Sequence, residues 1–122
     1  MAWVFNNERS IYAQLVEQIQ NRIMTGIYQP GSRLASVREL AGEAEVNPNT
    51  MQKALTELER AGLVHAIRTR GRFVTEDQSM IENLKKESAL QIIDEFREKM
   101  KALGYNDDAV IQLLNETKKE NK

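Results

Sequence analysis

Polar side chains able to hydrogen-bond with nucleic-acid bases and phosphates lie together near the middle of the chain. They are Asn49, Thr50, Gln52 and Lys53, interleaved with the apolar residues Met51, Ala54 and Leu55. Asn and Gln can bond both exposed groups of an adenine edge, whereas Thr and Lys more often hold phosphates. The pattern favours DNA contact, and the alternative is that these positions are only solvated.

Arginines precede and follow this stretch. Arg38 lies before it, and Arg68, Arg70 and Arg72 lie around Gly71 after it. A guanidinium group matches the geometry of a phosphate or a guanine edge, and a glycine allows the backbone to approach closely. We expect these residues to bind DNA. The alternatives are a surface ion pair for Arg38 and a merely solubilising hairpin for the others.

Two short helices are predicted to position these side chains. Ser36 and Glu39 have the spacing of a capping box, and Asn47 followed by Pro48 is a second helix start. Two helices joined by a tight turn form a helix-turn-helix. Strand-type residues at 63–68 and 72–75, around a three-residue loop containing Gly71, then predict a β-hairpin.

Several motifs in this region occur in a characteristic order. They are LASVRELA at 34–41, VNPNTM at 46–51, ALTELERAGLV at 54–64 and GRFV at 71–74. In these motifs the chain resembles the GntR family of bacterial transcription regulators, and its YtrA subfamily in particular. The chain departs from the family pattern at Ala35, where Pro is usual, at Thr69, where the hairpin usually has Gly, and at Pro48, where many relatives carry Arg.

The resemblance implies a winged helix whose DNA contacts include the caps as well as the polar and basic side chains. The expected DNA-binding residues are Ser36, Arg38, Asn47, Asn49, Thr50, Gln52, Lys53, Arg68, Arg70, Gly71 and Arg72. The resemblance also implies repression, with genes for an ABC-type transporter as targets. The expected fold class is mainly α, with residues 1–76 as the winged-helix domain and residues 77–122 as a two-helix dimerisation region.

The predicted tail helices have apolar faces too wide to cover each other, which favours a two-fold homodimer over a tail folded back onto its own domain. The expected dimerisation residues are Leu84, Ala89, Ile92, Ile93, Phe96, Met100, Leu103, Val110, Leu113 and Leu114. A symmetric dimer would bind a palindromic operator in double-stranded DNA, with half-sites one or more helical turns apart. The rival hypothesis is a protein-interaction module that oligomerises through the tail without specific DNA binding.

Composition argues against several other classes of protein. The chain has no cysteine and one histidine, His65, so we expect no enzyme, catalytic residue, cofactor or metal site. No apolar run is long enough to span a bilayer, which predicts a cytoplasmic protein.

Charge is distributed unevenly along the chain. Residues 1–75 carry nine basic and seven acidic side chains, whereas residues 76–122 carry eight basic and eleven acidic ones. The basic excess thus lies in the half with the helix-turn-helix. The sequence identifies no small-molecule effector.

Overall fold

The computed structural model of the chain describes residues 2–120. Met1 and residues 121–122, which the predicted domains include, lie outside the described residues. The elements in chain order are α1 (Ile11–Met24), α2 (Val37–Ala44), α3 (Pro48–Arg60), β1 (Val64–Ile67), β2 (Gly71–Val74), α4 (Gln78–Ala102) and α5 (Asp107–Glu120). The expected fold class, a mainly helical winged helix followed by two tail helices, is confirmed. Among residues 2–120, no helix is both long enough and apolar enough to cross a membrane.

Each of the first three helices begins at a capping residue, and the caps of α2 and α3 are those that the sequence analysis named. The Ser10 hydroxyl accepts the N–H of Ala13 at 3.1 Å at the start of α1. Ser36 and Glu39 form both hydrogen bonds of the capping box on α2. Asn47 caps α3, and its carboxamide oxygen accepts the N–H of Asn49 at 2.8 Å. The caps satisfy N–H groups that have no partner inside the helix, so they define where each helix begins.

The core lies where α1, α2 and α3 pack together. Leu15 and Ile19 of α1 and Met51, Leu55 and Leu58 of α3 are fully buried in it. Because these apolar residues recur three and four positions apart, each helix presents one face to the core and leaves the other to solvent. This packing decides which side of α3 remains exposed.

The hairpin follows α3, with Val64 paired to Val74 and Ile67 paired to Gly71. Its loop is therefore residues 68–70, whereas the sequence predicted 69–71. The difference arises because Gly71 pairs with Ile67, and Thr69 takes the left-handed conformation that turns the chain, with φ of 69°. We call residues 64–74 the wing.

A third backbone segment, which the sequence did not predict, lies along the outer side of β2. Arg33 forms an antiparallel bridge with Phe73. The N–H of Leu34 donates to the carbonyl of Arg72, and the N–H of Val74 donates to that of Ser32, both at 2.9 Å. These bonds fix the segment before α2 against the base of the wing.

The chain divides into two compact units, Met1–Leu84 and Lys85–Lys122. The first extends beyond Glu76, the end of the predicted winged-helix domain. The start of α4 belongs to it because Ile81 is buried in the core and Met80 and Leu84 pack partly against it.

The second unit is a helical hairpin made by the rest of α4 and by α5. Asn106 precedes α5 and caps it, because its carboxamide oxygen accepts the N–H of Ala109 at 2.9 Å. Arg97 of α4 donates to both carboxylate oxygens of Asp107, at 3.0 and 2.5 Å. Hydrogen bonding to Arg97 lowers the pKa of the Asp107 carboxyl.

Candidate nucleic-acid interface

The amino end of α3 presents the polar side chains that the sequence selected. Asn49, Gln52 and Lys53 are exposed and Thr50 is half-buried, while Met51, Ala54 and Leu55 point into the core. We call Asn49, Thr50, Gln52 and Lys53 the polar face of α3. Its exposure follows from helix periodicity, because the three buried residues lie together on one side of the helix and these four lie on the other. Such a surface can enter a major groove with its hydrogen-bonding groups toward the bases.

Two of these side chains already have partners in the chain. The carboxamide nitrogen of Gln52 donates to the Thr56 hydroxyl at 3.3 Å, a bond between exposed groups that a base could replace. The Lys53 ammonium lies 5.4 Å from the centre of the Tyr12 ring, a cation–π arrangement that joins α3 to α1. Tyr12 therefore restrains where the Lys53 charge lies. The sequence analysis did not select Tyr12 as a functional residue.

The DNA contacts predicted for Ser36 and Asn47 must use atoms that are not already engaged in capping a helix. The Ser36 hydroxyl oxygen accepts the N–H of Glu39, and the carboxamide oxygen of Asn47 accepts that of Asn49. Each side chain keeps a donor, a hydroxyl proton or an amide NH₂, that is not used in its cap. Either could donate to a phosphate while still capping its helix.

The wing carries its charge at its tip. Arg68 and Arg70 occupy the loop and are exposed, and neither forms a salt bridge with any residue in 2–120. Arg72 differs, because it lies half-buried on β2 and forms a salt bridge with Glu59 of α3. Arg72 therefore fixes the wing to α3, and two of the three predicted wing arginines are left without an acidic partner in the described chain.

At the carboxyl end of α3, the positive charge of Arg60 is neutralised by Glu57. Arg60 donates from Nε to Glu57 at 2.9 Å, and this hydrogen bonding lowers the pKa of the Glu57 carboxyl. The amino end bears Lys53 without an acidic partner among the described residues. An approaching polyanion thus meets positive charge on the polar face, at Lys53, and at the wing tip.

Arg38 extends into solvent from the start of α2, where the sequence expected it to bind DNA. It forms no salt bridge with another residue in 2–120, so the ion pair considered as its alternative role is absent there. Arg33, which the sequence analysis did not select, lines the same groove as Arg38. Its position depends on the backbone bridge to Phe73, and such a short pairing leaves no periodic signal in a sequence.

The predicted dimerisation residues fall into three groups by exposure. Leu84 packs half-buried against the winged-helix core and Val110 is buried, so neither offers much surface to a partner. Met100 and Leu113 are half-buried. The exposed ones are Ala89, Ile92, Ile93, Phe96, Leu103 and Leu114. Leu90, which the sequence analysis did not select, is also exposed, at 51%.

Comparison with protein families identifies the first unit. Residues 11–74 match the family described as bacterial regulatory proteins, gntR family. An uncharacterized HTH-type transcriptional regulator, YhcF of Bacillus subtilis, is 34% identical over 88% of this chain and 89% of its own length. The HTH-type transcriptional repressor YtrA of the same organism is 45% identical over 55% of this chain and 52% of its own.

Solved structures extend the likeness to both units. A GntR family transcriptional regulator from Listeria monocytogenes superposes with a TM-score of 0.87 at 39% identity, over 92% of this chain and 98% of its own. The DNA-binding domain of AraR, in a complex with operator ORX1, superposes with a TM-score of 0.53 at 28% identity. That match covers 59% of this chain and 93% of the AraR chain.

Proposed function

The chain belongs to the gntR family of bacterial regulatory proteins and is a DNA-binding transcription regulator; from that premise we propose that it represses transcription by binding a palindromic operator as a homodimer. In each protomer α3 enters a major groove, and the wing tip lies along the neighbouring backbone. Bound at a promoter, the dimer blocks transcription by occlusion. The regulator acts in the bacterial cytoplasm, where the chromosome lies.

The observation that carries the proposal is the arrangement at the amino end of α3. A capped helix start, three exposed polar side chains and two wing arginines without an acidic partner among residues 2–120, Arg68 and Arg70, lie in the same winged-helix unit. A helix start of this kind suits base contacts, and flanking arginines suit phosphates. The AraR complex supports the proposal, because a related domain of that protein binds an operator.

The homodimer is supported by apolar surface on the second unit. Eight of the twelve large exposed apolar side chains in the described chain lie there, including Ile92, Phe96 and Leu103. Val110 is the single buried residue among 85–119. A helical hairpin with so small a core is marginal alone, and a second copy is the partner that a two-fold interface supplies.

The subfamily and the target genes are further parts of the proposal. Identity of 45% with the repressor YtrA supports placing this chain in the YtrA subfamily and favours repression over activation. From the resemblance to that subfamily we propose genes for an ABC-type transporter as the targets. The two-helix tail is also consistent with the likeness to YhcF along most of both chains.

Retention on DNA by a variant with two arginines removed tests the proposed interface. Arg38→Ala with Arg70→Ala takes one positive charge from α2 and one from the wing tip. Both side chains are exposed, so the variant should keep its fold. We expect DNA retention to be lost while the thermal unfolding transition stays within a few degrees of wild type. A matched control is Arg9→Ala with Arg60→Ala, which removes equal charge from two exposed residues outside the proposed interface.

Salt dependence separates this function from the rival protein-interaction module. Binding that uses several phosphate contacts should weaken about tenfold or more over a modest increase in salt. An apolar protein contact should change little. Unchanged DNA retention by the Arg38, Arg70 variant, or DNA affinity insensitive to salt, would contradict the proposed function.

A further inference from the structure

A groove of about 400 Å³ lies between the start of α2 and the base of the wing. Its walls are the segment 33–38 on one side and Gly71 and Arg72 on the other. Three arginines, Arg33, Arg38 and Arg72, line it, and none of its lining residues is acidic. Within residues 2–120, Arg33 and Arg38 form no salt bridge. We call it the arginine groove.

Backbone pairing directs Arg33 toward this groove. Arg33 is opposite Phe73 in an antiparallel bridge, so Gly71, two residues earlier on β2, is its diagonal neighbour on the same face. A Cβ at Gly71 would lie 3.3 Å from Nε of Arg33 and 3.6 Å from one of its terminal nitrogens. The guanidinium group therefore lies over the bare backbone of Gly71.

Arg38, at the other end of the segment 33–38, is the second residue of α2. The first N–H groups of a helix have no partner inside it and attract anions. Ser36 accepts the N–H of Glu39 and leaves its hydroxyl proton available beside the two arginines. Arg72 adds less charge, because Glu59 neutralises it. Two guanidinium groups without an acidic partner in the described part of the chain, with hydrogen-bond donors beside them, form a binding site suited to a single phosphate.

We propose that the arginine groove binds one backbone phosphate of the DNA, and that Arg33 is a further DNA-contacting residue beside Arg38. The inference rests on the proposed function, because the phosphate belongs to the DNA that α3 and the wing hold. Arg33 contributes affinity and position rather than sequence preference, since a phosphate is the same at every base pair. Because Gly71 has no side chain, the guanidinium group of Arg33 can lie directly over its backbone.

The test pairs a protein variant with a chemically altered operator. The operator is first recovered by selection from a random DNA pool, and duplexes are then made with one neutral methylphosphonate at each position in turn. In each half-site we expect one position at which the neutral group weakens wild-type binding about tenfold and weakens Arg33→Ala binding clearly less, because only Arg38 then contacts that phosphate. Arg33→Ala on the unmodified duplex should lose about tenfold and lower the salt slope by about one per protomer.

Two further variants keep the result interpretable. Arg33→Lys keeps the charge and should stay within a few-fold of wild type, because a phosphate contact tolerates an ammonium group. Arg60→Ala removes the same charge from the other end of α3, roughly 18 Å from its first turn, and should bind DNA like wild type. Circular dichroism of Arg33→Ala should match wild type, since this side chain is exposed.

The outcomes separate the inference from the function on which it rests. If wild type binds the operator and Arg38→Ala weakens it, but Arg33→Ala binds every duplex like wild type, the Arg33 contact is wrong and the proposed function stands. Failure of the wild type to bind any duplex would overturn both. Tight binding of inorganic phosphate that needs Arg33, with no coupling to any methylphosphonate, would assign the groove to a free phosphate and overturn the inference.

Discussion

Individual side chains on the polar face of α3 should divide into residues that read bases and residues that hold the backbone. Asn49 and Gln52 have the carboxamide groups that discriminate adenine, whereas Lys53 is held near Tyr12 as a point charge. Asn49→Ala or Gln52→Ala should therefore cost about 1–3 kcal/mol on the operator and relax preference at one base pair. Competition binding against single-base operator variants measures this.

Lys53, on the same helix, is expected to hold a phosphate and not to read a base. Lys53→Ala should weaken binding to operator and mixed-sequence DNA alike, and should lower the salt slope by about one per protomer. Equal loss of sequence preference in Lys53→Ala and Gln52→Ala would contradict the division of roles. Tyr12→Phe keeps the ring beneath Lys53 and should leave DNA binding unchanged.

Thr69 has a backbone conformation that suits glycine better. Its φ of 69° lies in the left-handed region, where a β-branched residue is strained. Thr69→Gly removes that strain of about 1–2 kcal/mol, and the extra freedom of glycine in the unfolded chain offsets about half of it. We expect a gain of roughly 0.5–1 kcal/mol in the free energy of unfolding, measured by urea denaturation.

Thr69→Ala is the matched control because it keeps a Cβ at the same φ. It should gain clearly less stability than Thr69→Gly. Glu45, which ends α2 with φ of 57°, is a second non-glycine residue in this region, and Glu45→Gly should behave in the same way. A lower free energy of unfolding for Thr69→Gly than for wild type would show that the left-handed conformation is not strained.

Among whole elements, the helices were more predictable from sequence than the wing. Ser10, Ser36 and Asn47 cap helices through local hydrogen bonds, so their signal lies within a few residues. The hairpin loop was displaced by one residue, because pairing of Ile67 with Gly71 depends on contacts across strands. The bridge of Arg33 to Phe73 joins residues far apart in the chain, and no local pattern indicates it.

In the tail, the sequence predicted the helices but not which surface covers their apolar faces. The sequence predicted two tail helices with wide apolar faces, and both helices, α4 and α5, are present. Periodicity does not tell which partner covers a stripe. Leu84 packs against the winged-helix core, whereas Ile93 and Phe96 are exposed. Dimerisation through these side chains stays a prediction.

The N-terminal arm, residues 2–9, is held to α1 by two glutamine side chains. Gln14 bonds the N–H and carbonyl of Asn6, at 2.9 and 3.0 Å, and Gln18 bonds those of Val4, at 3.2 and 2.7 Å. Gln14 is only 3% exposed, while the Gln18 bonds are open to solvent. Water can therefore replace the hydrogen bonds of Gln18 more readily than those of Gln14.

Replacing each glutamine by alanine should show that difference. Gln14→Ala leaves part-buried backbone groups of the arm without their partner and should cost about 1–2 kcal/mol in the free energy of unfolding, whereas Gln18→Ala should cost less than about 1 kcal/mol. Thermal or urea unfolding measures both. The sole tryptophan, Trp3, stacks 3.8 Å from the Arg22 guanidinium and reports detachment of the arm by its fluorescence. Equal losses in the free energy of unfolding for Gln14→Ala and Gln18→Ala would show that burial of Gln14 does not strengthen its contribution.

For the whole molecule, dimerisation through the second unit is the prediction with the widest consequence. Phe96 and Leu103 are 39% and 72% exposed and have the spacing of a helix seam. Replacing both by aspartate places charges in the proposed interface, so sedimentation should show a monomer. Ile27→Asp is the control, because Ile27 is 45% exposed but lies in the first unit, and this variant should stay dimeric. A wild type already monomeric at micromolar concentration would contradict the dimer.

Loss of the dimer should also weaken operator binding more than it weakens binding to a single half-site. Two winged helices on one operator act at high effective concentration once the tails join them. The Phe96, Leu103 double variant should therefore bind a half-site duplex like wild type and lose at least about tenfold on the full operator. Equal affinities of both proteins for the full operator would show that the tail does not couple the two binding events.

Selection of bound sequences from a random DNA pool tests the central claim most directly. A symmetric pair of winged helices, each with the polar face of α3 in a major groove, predicts enrichment of one inverted repeat with half-sites one or more helical turns apart. The same selection with the Arg38, Arg70 variant should enrich nothing. Recovery of no motif, or of a single asymmetric motif bound by one protomer, would contradict the claim.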